Sequence, residues 1–302
     1  MNRRRKRRKE IPHLSDDTVV AGPSDAWVIE PRREGVAARA FELWRYRRML
    51  WFLAVRTIKD RYEGMTLGIF WLFARPLLPI LIGGFVFGNL LGVPSDGVPF
   101  ILFFMTGVVP WTLFERSILW GTKCLTQHRS LMKKLYFPRL ISPIASVSPA
   151  AADFVIYMLL LAGVALYYLW ADGVFYVKLG PGLLLALLMS VLAVFAALSV
   201  VLWTCVFQTR FAETRFTLRY FMQFWMYLTP VFYPISLIPP EHRWLVYINP
   251  MASVVATFRW GIIGVGELPL VPLATSVVVA IVAMAAGIWF FTFSESSTID
   301  KL

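Results

Sequence analysis

The chain has 302 residues, of which 58% are hydrophobic and 16% are charged, and its formal net charge is +12. Soluble domains carry about 25% charged residues, and the apolar residues here lie in long blocks, so the composition excludes a soluble globular protein. Of the 30 Lys and Arg residues, 16 lie in residues 1–66, five in 123–139 and three in 210–219. Because these clusters flank apolar blocks, they indicate membrane topology and not nucleic-acid binding.

Two polar or mixed segments precede the first long apolar block. Residues 1–35 are basic and contain three prolines, which is typical of a disordered cytoplasmic tail. Residues 36–66 mix Leu and Trp with Arg. This mixture predicts an amphipathic cytoplasmic helix, which lies on the inner membrane surface or packs against a partner protein.

Six apolar stretches are each long enough to cross a bilayer core as a helix, which takes about 20 residues. They cover approximately residues 67–91, 98–120, 144–170, 181–207, 217–238 and 270–293. The connections 1–66, 121–143 and 208–216 are rich in Lys and Arg, whereas the other three contain only Lys178, Arg243 and Arg259. Because basic connections stay in the cytoplasm, the N-terminus and the tail 294–302 are both predicted to be cytoplasmic. The prediction is an all-α integral membrane protein with a six-helix transmembrane domain at residues 67–293.

The connection 239–269 is too long for a plain loop and contains two short apolar pieces, 244–250 and 251–266. Asn249-Pro250 separates them. We predict a re-entrant pair of half-helices that enters the outer leaflet between the fifth and sixth spans, where irregular backbone must be buried in protein or line a wet cavity. A seventh span is the alternative, but Pro250 and Arg259 oppose it.

Two ionisable residues lie inside the predicted spans at similar depth. Arg75 is about eight residues into the first span, and Asp153 is about nine residues into the third. An unpaired charge at that depth costs at least about 2.5–3.5 kcal/mol, so both side chains are predicted to face the protein interior and to pair with each other. The alternative is that each faces water in a cytoplasmic vestibule.

The sequence shows no motif for catalysis or for nucleotide binding. It contains no GxxxxGK[ST] phosphate-binding loop, so ATP is not expected to bind this chain. The three histidines are scattered over separate connections, and no metal site is predicted. Glu241 and His242 are adjacent on an outer connection, but one such pair is weak evidence for an enzyme.

Four short sequences lie beside the predicted spans. They are IKDRYEGMTLG at 58–68, LMKKLYFPR at 131–139, TPVFYP at 229–234 and YINPM at 247–251. Together they resemble the permease subunits of ABC-2 type exporters for polysaccharides such as O-antigen, capsule and teichoic acid, over about residues 40–293. Two positions depart from that pattern, since Glu63 stands where the family usually has a basic residue and Arg75 where it usually has a neutral polar one.

The resemblance implies a partner and a mechanism. Two copies of this chain would form a pore in the bacterial inner membrane, and two copies of a separate ATPase subunit, which binds ATP and Mg²⁺, would dock from the cytoplasm. The cargo would be a lipid-linked glycan, moved among membrane lipids, and the chain itself would need no cofactor.

The resemblance also suggests roles for particular side chains. Contacts with the ATPase are expected from the interfacial helix and the connection 121–143, through Asp60, Arg61, Tyr62, Lys133, Lys134, Tyr136, Phe137 and Arg139. Positive-inside topology alone is the other explanation for that basic connection. The substrate channel is expected to be lined by Phe70, Trp71, Arg75, Trp111, Trp225, Tyr233, Tyr247 and Trp260. Because Trp and Tyr ordinarily gather at membrane interfaces, interfacial anchoring is the alternative for these aromatic residues.

Two other functions remain open at this point. An ABC-2 permease for a small lipid or drug would share the fold and the ATPase. A membrane-embedded glycosyl- or acyltransferase would need carboxylates or histidines clustered at one membrane face, whereas those of the outer connections are widely spaced.

Overall fold

The computed structural model describes residues 43–63, 68–135 and 137–299. These residues form helices and connecting segments without a strand. In chain order the α-helices are α1 Arg47–Tyr62, α2 Gly68–Gly83, α3 Phe100–Gly121, α4 Cys124–Gln127, α5 Arg129–Met132, α6 Ile141–Ser146, α7 Ser148–Asp172, α8 Pro181–Arg210, α9 Thr214–Leu228, α10 Arg243–Tyr247, α11 Pro250–Ile263 and α12 Leu270–Ile299. The predicted tail 1–35, the start of the interfacial segment, residues 64–67, Tyr136 and residues 300–302 lie outside the described part.

Five helical stretches of the described residues are long and apolar enough to cross a membrane. They are Phe70–Leu90, Phe100–Gly121, Ile141–Asp172, Pro181–Arg210 and Leu270–Ser294. The first consists of α2 and a following π-helical stretch, Gly84–Leu90. The predicted all-α fold is thereby confirmed for the described residues, and five of the six predicted spans have an apolar helix of the expected length.

The region of the fifth predicted span, residues 217–238, differs from a single helix. Helix α9 has 15 residues, which is about 22 Å at 1.5 Å per residue and shorter than a bilayer core. It ends at Leu228 because Pro230 disfavours a helical conformation at Thr229, which is extended at φ −95° and ψ 139°. A sixth crossing would have to include the non-helical residues after Leu228, and it remains a prediction.

The connection before α12 contains two helices of different length. The five-residue helix α10 and the 14-residue helix α11 are separated at Asn249-Pro250, as the sequence predicts. The Asn249 side chain caps α11 by accepting a hydrogen bond from the Met251 N–H at 3.0 Å, and Pro250 occupies the first helical position. How far this pair enters a membrane leaflet remains a prediction.

The core of the membrane domain lies around α3 and α11. Almost every residue of α11 is buried, as are most residues of α3. Helices α8 and α11 are in close backbone contact at Gly182 and Gly261, where an added Cβ on either residue would collide with the other's backbone. Small residues at a crossing allow such close approach in membrane helices. The result is a tightly packed framework against which α1, α2 and α9 lie at the periphery.

Helix α1 has one face on the protein and one face outward. Leu53 is fully buried in a cluster with Phe137, Ile141 and Ala145. On another side of the same helix, the side chain of Trp51 is 71% exposed. The interfacial position of this helix on the inner membrane surface stays a prediction.

A buried histidine anchors the connection between α3 and α6. The Nδ1 atom of His128 lies 2.7 Å from the Ser142 hydroxyl, which in turn donates to the Cys124 carbonyl at 3.1 Å. Burial lowers the pKa of His128, and nearby Arg56 lowers it further, although Asp60 acts in the opposite direction. The neutral imidazole is therefore the form that the folded connection favours.

The protein is expected to lose stability as the pH falls below about 6.5, the ordinary pKa of histidine. Because the pKa is lower in the folded state, the unfolded state binds the proton first, and this contribution to stability is complete only above that pH. Thermal unfolding between pH 7.5 and 5.5 should show a steeper loss for the wild type than for His128→Asn. Equal slopes for the two proteins would contradict this role.

Candidate functional site

A charged cleft lies where α1, α2, α3 and α7 meet. Its cavity volume is about 20 Å³, which is room for about one water molecule. Its lining combines three arginines and a carboxylate with aromatic and apolar side chains, namely Arg61, Tyr62, Trp71, Leu72, Arg75, Pro76, Arg116, Asp153, Ile156 and Tyr157. Asp153 and Arg116 lie near the ends of α7 and α3 that the sequence places towards the cytoplasm.

Asp153 is the centre of the polar network in this cleft. Its side chain is 6% exposed, and Oδ2 accepts from Arg61 Nη2 and pairs with Arg116 Nη1, both at 2.6 Å. The other oxygen, Oδ1, accepts a hydrogen bond from the Tyr62 hydroxyl at 2.9 Å. One carboxylate thus joins α1 to α3 and α7 through charge-assisted bonds.

The structure corrects the predicted Arg75–Asp153 pair. Arg75 lines the same cleft, but within the described residues the ion pairs of Asp153 go to Arg61 and Arg116. Arg75 lies on the exposed side of α2. Arg75 and Asp153 lie at similar depth in their spans, and both line this cleft. The ion-pair partners of Asp153 depend on how α1 packs against α7, which no periodicity in the sequence indicates.

Two aromatic rings hold the paired guanidinium groups in place. The Arg61 guanidinium lies over the Trp120 ring at 4.7 Å, and that of Arg116 lies over Tyr157 at 5.2 Å. Such cation–π contacts restrict both side chains without neutralising them. Burial raises the pKa of Tyr62 to about 12, and the neighbouring Asp153 carboxylate acts in the same direction. Tyr62 is therefore a hydrogen-bond donor at neutral pH.

A second buried cation ties the TPVFYP segment to α3 and α11. Arg259 is 3% exposed and donates to the Val231 carbonyl at 3.2 Å and to the Thr106 hydroxyl at 3.4 Å. Its guanidinium lies 3.7 Å from the centre of the Phe103 ring. Arg259 therefore holds the TPVFYP segment against α3 and α11, and its buried charge is satisfied inside the protein.

Asn249 links the YINPM motif to the TPVFYP motif. Its side-chain nitrogen donates to the Thr229 hydroxyl at 2.7 Å, while its oxygen caps α11. Asn249→Ala removes both bonds and is expected to destabilise the protein by about 2 kcal/mol, the sum of a lost cap and a lost internal hydrogen bond. Thermal unfolding should show this loss of stability. The control Asn89→Ala, at an exposed position, should unfold at the same temperature as the wild type. Similar melting of both variants would mean that the link contributes little.

The predicted channel residues occupy several different environments. Trp111 has no exposed surface and packs against Phe114 and Trp225, which corrects its prediction as a channel residue, because it belongs to the core. Phe70 is 67% exposed and Trp71 is 44% exposed. The remaining aromatic candidates are half-buried at the edge of the packed core, namely Trp225, Tyr233, Tyr247 and Trp260.

The predicted ATPase contacts also divide into two groups. Lys133 and Lys134 are exposed, as is Asp60 on α1. Phe137 is buried beside Leu53, so it anchors the connection and is not available to a partner. Arg61 and Tyr62 serve the charged cleft, Arg139 is half-buried, and Tyr136 lies outside the described residues.

Comparison with known proteins agrees with this architecture. Residues 48–263 match the family model described as ABC-2 type transporter. The chain is 29% identical over 222 residues to the O-antigen export system permease protein RfbA of Myxococcus xanthus, which covers 72% of this chain and 81% of that protein. It is 26% identical over 210 residues to RfbA of Klebsiella pneumoniae, covering 68% and 76%.

A shorter match involves a different relative. Over 63 residues the chain is 38% identical to the inner membrane transport permease YadH of Escherichia coli K12, which covers 21% of this chain and 25% of that protein. The family model, in contrast, extends from α1 to the end of α11 and includes the charged cleft, the basic connection and the Arg259 region. The chain is therefore a multi-pass membrane transport permease that belongs to the ABC-2 type transporter family.

Proposed function

We propose that this chain is the membrane-spanning subunit of an ABC exporter that moves lipid-linked polysaccharide out across the inner membrane. The long match to two O-antigen export permeases is the observation that carries the proposal, because it covers more than two thirds of each relative. A separate ATPase subunit would supply the energy, since the sequence has no phosphate-binding loop of its own.

The proposed pore is formed between two copies of the chain. Helix α9 carries an exposed aromatic stripe at helical spacing, formed by Phe216, Tyr220, Phe224 and Tyr227. Helix α2 adds the exposed rings of Phe70 and Trp71. Aromatic rings offer apolar faces along which sugar C–H groups can slide, without directional bonds that would trap a long polymer. Half-buried Trp225, Tyr233, Tyr247 and Trp260 stay candidates at its edge.

Coupling to the ATPase is proposed to pass through α1 and the basic connection. Lys133 and Lys134 project outward, while Phe137 and Leu53 fix the connection to α1. At its end, α1 reaches the charged cleft through Arg61 and Tyr62. A push on this unit would therefore reach α3 and α7 as rigid-body motion. Both termini are cytoplasmic in this proposal.

Depletion of the protein tests the cargo. Surface labelling should then find lipid-linked polysaccharide missing outside the cell, and extraction should recover it at the inner leaflet. Normal surface glycan would favour a permease for a small lipid or drug. Loss of glycan synthesis without any accumulation would favour a membrane-embedded transferase.

A further inference from the structure

We propose that Lys123, Arg215 and Arg219 form a basic cluster that binds the head group of an anionic bilayer phospholipid at the junction of α3 and α9. Lys123 follows the end of α3, and the two arginines lie one helical turn apart at the start of α9. The sequence places both helix ends at the cytoplasmic face, where head groups of the inner leaflet lie. None of the three residues lines the charged cleft, and the site does not depend on the nature of the exported cargo.

The cations of this cluster repel one another. Burial lowers the pKa of Lys123, and the charges of Arg215 and Arg219 lower it further. Within the described residues, none of the three side chains takes part in an ion pair. Glu115 on α3 interacts with Arg219, but it shares its charge with Arg116. An anion at this junction would therefore remove an unfavourable interaction.

The start of α9 adds to the positive potential. Thr214 is the first residue of this 15-residue helix, and its first turn contains Arg215 but no acidic residue. Because the first N–H groups of a helix carry a partial positive charge, a cation in this turn is unfavourable by itself. The exposed N-cap residue Glu213 makes no capping hydrogen bond with its side chain. This end of α9 therefore favours an anionic ligand.

Two of the cations are positioned by neighbouring aromatic rings. The Nζ atom of Lys123 lies 5.2 Å from the centre of the Trp120 ring, and the Arg215 guanidinium lies 4.7 Å from that of Phe216. Such cation–π contacts restrict the side chains without neutralising them. A head group would therefore immobilise few additional side chains on binding, which favours affinity.

The surroundings favour a phospholipid over a soluble anion. Phe207 at the end of α8 and Phe211 just before α9 are both exposed, which gives acyl chains an apolar surface at the same end of the membrane domain. Around α9, Arg215 and Arg219 lie about a third of a turn from the exposed aromatic stripe. The lipid would thus bind beside the proposed pore and not inside it. Basic side chains next to membrane helices attract anionic head groups in this way.

Titration of phosphatidylglycerol into the full-length chain in detergent, followed by native mass spectrometry, tests the assignment. The double variant Arg215→Gln, Arg219→Gln should weaken the first binding step at least about tenfold, because two attractive charges are lost. Arg215→Lys, Arg219→Lys should bind like the wild type, since the head group is attracted mainly by charge. The control Arg129→Gln, Lys178→Gln removes as much charge at two exposed positions outside the cluster, and it should also bind like the wild type.

Thermal unfolding provides a second readout. Without phosphatidylglycerol, the Arg215→Gln, Arg219→Gln variant should unfold at least at the wild-type temperature, because it loses a repulsion and no bond. Phosphatidylglycerol should raise the midpoint of the wild type and not that of the variant. An equal rise for both proteins would overturn the site.

Competition identifies the ligand. Phosphatidylcholine should bind the wild type at least about tenfold more weakly than phosphatidylglycerol, and inorganic phosphate should displace the lipid only at far higher concentration. Equal binding of the two lipids, or displacement by equal phosphate, would overturn the assignment, as would a polyprenyl phosphate that binds more tightly. If phosphatidylglycerol binds as expected while surface glycan is normal after depletion, this inference stands and the polysaccharide cargo fails.

Discussion

Asp153→Asn is expected to lower the free energy of unfolding by about 3 kcal/mol, the cost of removing one partner from a buried ion pair. The substitution keeps the shape of the side chain but leaves Arg61 and Arg116 without a counter-charge. Both arginines are mostly buried, with side chains 12% and 27% exposed, so water can compensate only in part. The midpoint of thermal unfolding in detergent measures the loss.

A matched control is available on the same helix. Asp172 lies at the exposed end of α7, and Asp172→Asn removes the same charge without touching the cleft. Its unfolding midpoint should equal that of the wild type. If Asp153→Asn and Asp172→Asn have the same unfolding midpoint, Asp153 does not hold α1, α3 and α7 together.

Reversal of charge at Lys133 and Lys134 is expected to reduce export at least about tenfold. The double variant Lys133→Glu, Lys134→Glu would replace attraction to the ATPase by repulsion, and like charges across an interface cost several kcal/mol. Co-purification of the ATPase with the chain should fall in parallel with surface glycan. Lys123, Arg129 and Arg139 keep the connection basic, so its cytoplasmic position is retained.

The control for this variant lies on a different connection. Lys178→Glu changes an exposed lysine between α7 and α8, a connection predicted to face outward. It should leave both ATPase binding and export unchanged. If the Lys133→Glu, Lys134→Glu variant co-purifies with the ATPase as well as the wild type does, these residues are not part of the docking surface. Membrane topology would then explain their charge.

Much of the fold could be predicted because long apolar runs determine where membrane helices form. Pro181 begins α8 at the predicted residue, and the first span ends within one residue of its prediction. The fifth stretch was different, since apolar composition continues past Leu228 while Pro230 ends the helix. Pro230 is part of the TPVFYP motif, and its effect on the preceding residue predicts that the helix ends at this point.

The cleft was predictable only in part. The cost of a buried charge correctly indicated that Asp153 needs a partner in the protein interior. Its partners Arg61 and Arg116 are separated from it by 92 and 37 positions in the chain, and their approach depends on the packing of α1. The predictions for Trp111 and Phe137 were wrong because residue type alone does not distinguish a ring at a functional surface from a ring in the core.

The most direct test of the central claim is transport in inverted inner-membrane vesicles. Vesicles containing the chain and its ATPase would be supplied with radiolabelled lipid-linked polysaccharide on their outer, formerly cytoplasmic, face. Addition of ATP should make the glycan inaccessible to an external glycosidase, and vesicles without the chain should leave it fully digestible. Protection that is equal with and without the chain, or without ATP, would contradict an ATP-driven polysaccharide exporter.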